Sequence, residues 1–203
     1  MQKRHNANMF RYILALSLFL PLNALANSPV VAQVEKYLNN LNSFSATFQQ
    51  FTPSEGYSSG IFYYQQPRKF LWQYQLPQNQ KIVSTGSRMF FHDFETEQTT
   101  QIPMSSGFAS FLTKQPLRLN DEDFKVLSSE ELEGIINITL QLADDSSQQF
   151  NLRFESNPIK LLSMTQKGEF GTNLNITFAN QKYNKPVDSE LFKFTPELEK
   201  IPE

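Results

Sequence analysis

The sequence predicts a mainly β protein: an antiparallel sheet, barrel or sandwich in one domain. Many short runs alternate apolar and polar residues with the period of two that a half-buried strand requires. The joins between them carry Gly, Pro, Asn and Asp, and the strand–helix alternation of a parallel sheet is missing. No internal repeat or linker divides the chain.

The N-terminus reads as a leader. Lys3, Arg4 and Arg11 precede the short apolar run Tyr12 to Leu20, and Ala24-Leu25-Ala26 supplies a small-residue cleavage pattern. The apolar run is too short to span a bilayer, so residues 1–26 are expected to be removed on export. Residues 27–203 then form the mature domain. Its 177 residues contain no cysteine, so its own core must hold it together in an oxidising compartment.

A helix is expected from Pro29 to about Leu41, with Ser28 as its N-cap and Val31, Val34, Leu38 and Leu41 on one face. From Phe44 the period changes to two, and Phe44, Ala46 and Phe48 share one side of a strand. Gly60 to Gln65 gives a second strand carrying Phe62 and Tyr64 on one face. Pro67 opens a third, QPRKFLWQY, in which Phe70, Trp72 and Tyr74 point the same way. Lys81 to Ser84 and Arg88 to His92 form a hairpin around Thr85-Gly86, and Gln98 to Ile102 follows. A short apolar helix is expected near Gly107–Thr113, with Phe108, Phe111 and Leu112 on one face. The remaining strands are Phe124 to Ser128, Ile135 to Leu142, Gln149 to Glu155, Ile159 to Thr165 and Leu174 to Asn180.

Composition excludes several functions. Without the leader, fifteen Lys+Arg face twenty Asp+Glu, a formal charge of −5, which suits neither nucleic acid nor an anionic membrane surface. His92 is the only histidine beyond the leader, and no G-x-S-x-G elbow or phosphate-binding glycine loop accompanies it. One histidine and no cysteine leave no zinc or copper site, and no cofactor is expected. Asp121-Glu122-Asp123 and Asp144-Asp145-Ser146-Ser147 read as solvated turns. The sequence points away from an enzyme.

Aromatic supply is the positive signal, since 17 of the 19 Phe lie beyond the leader. Phe44, Phe48, Phe62, Phe70, Trp72 and Tyr74 recur on successive strands in matching alternation. They either fill a core or line an apolar space covered by the two helices, and periodicity leaves both readings open.

The order and spacing of LNSFSATFQQF, GIFYYQQPRKFLWQY, KIVSTGSRMFFHD and LFKFTP resemble the LolA family of periplasmic outer-membrane lipoprotein carriers. The resemblance implies an unclosed antiparallel β-barrel with a lid of short α-helices over an apolar cavity. It implies a periplasmic, monomeric chaperone with acylated lipoproteins as cargo, an inner-membrane ABC transporter as donor and an outer-membrane receptor lipoprotein as acceptor. Family cavity positions match Leu38, Phe44, Phe70, Trp72 and Tyr74. The family usually places an Arg that bonds the lid directly before the motif's Pro, where Gln66 stands here. Arg68, nominally on the same strand face, is the other latch candidate. A periplasmic sensor module that binds lipid or lipoprotein to regulate a partner is the alternative reading.

Overall fold

The computed structural model describes residues 28–105, 107–167 and 173–194; the expected leader and the side chain of Phe108 lie outside the described residues. Eleven strands form one antiparallel sheet. The first meander comprises β1 (Ser43–Thr52), β2 (Gly56–Gln65), β3 (Lys69–Tyr74), β4 (Gln80–Thr85), β5 (Met89–Asp93) and β6 (Gln98–Ile102). The second comprises β7 (Phe124–Leu132), β8 (Ile135–Leu142), β9 (Gln149–Ser156), β10 (Ile159–Lys167) and β11 (Asn173–Tyr183). Pairing of β1 with β11 joins the two meanders, with Phe48 opposite Phe178 and Gln50 opposite Ile176. The outer strands β6 and β7 do not pair, so the barrel is unclosed. The chain crosses this seam through α2 (Gly107–Thr113).

Local chemistry accounts for the elements. α1 (Pro29–Asn39) starts with Pro at its first turn, but the Ser28 side chain makes no capping bond, contrary to expectation. The helix buries Val31 and Val34 and stops at Asn39, and Leu41 reaches the core from the loop beyond it. The β7–β8 hairpin turns at Glu133 and Gly134, both with positive φ (51° and 79°), the conformation a two-residue turn between twisted strands requires. β7 runs on past Ser128 to Leu132 because it stays paired with β8 down to the turn, Leu132 opposite Ile135, although Leu127 and Leu132 remain exposed.

Alternation divides the sheet into two apolar faces. The concave face collects Phe44 and Phe48 from β1, Phe62 from β2, Phe70 and Trp72 from β3, and Phe150, Leu152 and Phe154 from β9 in one cluster with α1. On the convex face Leu71, Val83 and Phe90 are covered by Phe192 and Phe194 of the C-terminal segment, which includes a 3₁₀ turn at Ser189–Phe192. His92 belongs to this outer layer: it is 2% exposed, its Nδ1 lies 2.8 Å from Thr99 Oγ1, and its ring stands edge-on to Phe94.

Gly60 on β2 permits close packing in the concave layer. A Cβ there would collide with the Gln73 carbonyl oxygen and come within 2.5 Å of the Phe48 ring. Gly60→Ala should therefore destabilise the fold by about 1–3 kcal/mol. Urea unfolding followed by circular dichroism measures this; an unchanged midpoint would show that the layer has slack.

Candidate functional site

The site grows from the three rings of β3. Trp72 is 6% exposed, with its ring centroid 4.5 Å from that of Phe48 and 5.0 Å from that of Phe62. Such offset and tilted contacts fix the indole in place. Phe48, 1% exposed, stands one layer behind it as packed core. Tyr74 meets Phe48 edge-on at 5.3 Å, and its hydroxyl donates to Gln50 Oε1 at 2.8 Å. Burial raises the Tyr74 pKa, keeping this phenol neutral.

Two cavities adjoin Trp72. The first, about 70 Å³, lies under α1 and is lined by Leu38, Phe44, Phe62, Phe111, Leu112 and Phe154, among others, with Gln66 at its rim. Its volume admits a few water molecules and far less than an acyl chain. The second, about 250 Å³, lies beyond the indole among Phe70, Tyr74, Ile82, Met89 and Ile102, and also touches Leu112. Of the expected lining residues with described side chains, only Phe48 borders neither space.

The lid is held by polar groups that carry no signal in the sequence pattern. The Asn39 carboxamide, at the end of α1, accepts from Leu117 N (2.8 Å) and donates to Leu117 O (2.9 Å). One turn earlier the buried Glu35 accepts from Leu119 N at 2.7 Å. Together these bonds join α1 to the segment after α2. The lid meets the barrel at the end of β2. Gln66 Nε2 donates to Asn39 O at 3.1 Å, and Gln115 Nε2 donates to the Tyr64 hydroxyl at 3.2 Å. Burial raises the Tyr64 pKa, against the lowering effect of its bonds to Gln115 and Gln66, so this contact too is uncharged at neutral pH.

Gln66 thus touches the lid. Arg68 does not share its strand face: both lie in the β2–β3 turn, where Arg68 takes a left-handed φ of 60°. Strand alternation does not extend through a turn. The Arg68 carbonyl accepts from Ser84 Oγ at 2.5 Å, and its exposed guanidinium makes no hydrogen bond or ion pair among the described residues.

The acidic turn before β7 also gains a structural role. Lys114, at the end of α2, pairs with Asp121 at 2.6 Å and with Asp123. Asp121 Oδ1 accepts from the backbone N–H groups of Asp123 and Phe124 as well. Asp144-Asp145-Ser146-Ser147 is the turn expected: Asp145 Oδ1 accepts from Ser147 N at 3.0 Å.

An unclosed antiparallel barrel with an apolar interior under two short helices defines a lidded, open-barrel binding protein. A family model described as "Outer membrane lipoprotein carrier protein LolA" matches residues 39–195. The chain belongs to the LolA family. It is 28% identical over 196 residues to the outer-membrane lipoprotein carrier protein of Methylococcus capsulatus, covering 92% of this chain and 94% of that one. It is 26% identical over 198 residues to the protein of the same name from Dechloromonas aromatica, covering 93% and 94%. In fold it is similar to an uncharacterized conserved protein from Thermus thermophilus, with a TM-score of 0.53 at 14% identity, covering 85% of this chain and 96% of that one.

The lid contacts can be tested at Gln66. Gln66→Leu removes a neutral hydrogen bond worth about 1 kcal/mol from the closed lid, so an apolar fluorescent dye should bind about fivefold tighter. Arg68→Leu should leave dye binding unchanged; a larger effect at Arg68 would transfer the latch to that residue.

Asp121 gives a pH-dependent test. Burial pushes its pKa up, but the hydrogen bond from Lys114, the two backbone N–H groups and the Lys114 charge outweigh this and hold it below the usual carboxylate range. A depressed folded pKa contributes stability above the unfolded value and loses it as pH falls through the folded one. Asp121→Asn should therefore lower Tm at neutral pH by about 2–4 °C, and the gap should close below about pH 4. Calorimetry across pH tests this; a gap that persists at about pH 2 would remove the ion pair as its cause.

Proposed function

We propose that this protein is a periplasmic carrier that shields the acyl chains of lipoproteins between the inner and outer membranes. It acts by binding alone, as a monomer, taking cargo from an inner-membrane ABC transporter and passing it to an outer-membrane receptor lipoprotein. The reading rests on an apolar, aromatic-walled interior whose cover meets the barrel at the end of β2 through neutral hydrogen bonds. Family membership and the names of its relatives support the same reading. Among the described residues no helix is long and apolar enough to cross a membrane.

Energetics fit a carrier. Burying CH₂ groups yields about 0.8 kcal/mol each, so an enclosed chain of ~16 carbons approaches ~13 kcal/mol. Two latch bonds worth about 1 kcal/mol each resist it weakly. Cargo therefore opens the lid, but cannot leave for water at a useful rate. It leaves by direct handover to a partner that buries the same chains. Aromatic walls suit this exchange because they offer apolar contact without a tightly fitted slot.

Trp72, the only tryptophan, reports on the interior. An acylated peptide should shift its emission, and the same peptide without the chain should not. Equal responses to both would contradict acyl binding.

A further inference from the structure

We propose that the outer edge of β6 pairs with the cargo's own polypeptide, which adds to the sheet as a strand in the extended stretch following its acylated residue. The proposal rests on the acyl-binding reading above and adds a second, backbone contact to it.

The unclosed sheet has two free edges, β6 and β7. An edge strand offers unpaired N–H and C=O groups to any extended chain, and proteins usually blunt it with charge or a bulge. β7 is blunted in both ways. Its pairing with β8 shifts register between Val126 and Ser128, and it carries Lys125, Glu130 and Glu131. β6, Gln-Thr-Thr-Gln-Ile, has neither device. Its pairing with β5 runs without a shift from Gln98 opposite Asp93 to Ile102 opposite Met89, and charge begins only at Glu97 in the preceding turn. Among the described residues no backbone hydrogen bond reaches β6 from its outer side. The side chains of Gln98, Thr100 and Gln101 are exposed, so no neighbouring element covers them.

Position selects the occupant. Ile102, the last residue of β6, lines the cavity of about 250 Å³ together with Ala109 and Leu112 of α2. An acyl chain lodged there leaves its peptide at the seam, within reach of β6. Tethering makes the second contact intramolecular, so even a weak pairing fills at the effective concentration that the linkage sets. Backbone pairing is indifferent to side chains, and an uncharged Gln/Thr edge imposes no charge selection on the strand it takes. A carrier of lipoproteins with differing sequences is served by a grip of this kind. Five residues of β6 at about 3.4 Å each give ~17 Å of edge, room for about five residues of cargo.

The test uses the full mature protein and peptides acylated at their first residue with about eight carbons, kept below micelle formation. They carry either one residue or about seven uncharged residues after the acylated one. Trp72 emission gives the affinities, and hydrogen exchange read by mass spectrometry follows the amides of residues 98–102. The long peptide should bind at least about fivefold tighter than the short one and should slow exchange in β6. A docked strand turns alternate backbone N–H groups toward its neighbour and the others toward solvent. N-methylation of one alternate set should therefore abolish both effects, and N-methylation of the other set should leave both intact. Equal binding of the short and long peptides, or a gain that survives both methylation patterns or neither, overturns the strand pairing while acyl binding stands. Exchange in β6 that slows with rising protein concentration and no peptide assigns the edge to a second copy of this chain, and overturns the pairing as well. If neither acylated peptide binds, the acyl-binding reading falls and the pairing with it.

Discussion

A sheet that curves but does not close leaves its concave apolar face needing a cover. Closure would let strand neighbours fill the interior with side chains, as small barrels do. Here β6 and β7 stay apart, and α1 with α2 supplies the cover. The pairing of β1 with β11 holds the two meanders at a fixed curvature. The convex face answers the same demand differently, with Phe192 and Phe194 packed onto Leu71, Val83 and Phe90. The concave cover is attached by polar contacts at its margins as well as by packing, which makes it removable.

Those polar contacts divide by strength. Asn39 with Leu117 and Glu35 with Leu119 satisfy backbone groups, and the Leu119 site is fully buried, so breaking them leaves unpaired donors and acceptors. Gln66 to Asn39 and Gln115 to Tyr64 are single neutral bonds at the rim. The weaker pair gives first. In the proposed carrier, α1 and the segment after α2 would then move as one body relative to the barrel, with Lys114 and its aspartates as the tether on the β7 side.

Much of this architecture is legible in the sequence because alternation encodes faces directly. Spacing alone places Phe70, Trp72 and Tyr74 together on one face. It does not choose between a filled core and a cavity, since Phe48 and Trp72 share a pattern although one is packed core and the other a cavity wall. The lid contacts are less legible still. Asn39, Glu35, Tyr64 and Gln115 act through partners far along the chain, and no local periodicity marks them. Arg68 is misplaced by the sequence pattern because alternation does not survive Pro67 and the turn it opens. Asp121 and Asp123 look like solvated turn residues because their partner, Lys114, belongs to another element.

In the proposed carrier the cover lifts as one body when an acyl chain enters. With no native cysteine, spin labels can be placed through Ala32→Cys on the exposed side of α1 and Ser87→Cys in the β4–β5 turn. Pulsed electron–electron double resonance then reads the distance between lid and barrel. A lifting cover gives a longer, broader distance distribution with a bound acylated peptide and no change with the unacylated one. An unchanged distribution under saturating acylated peptide would contradict it.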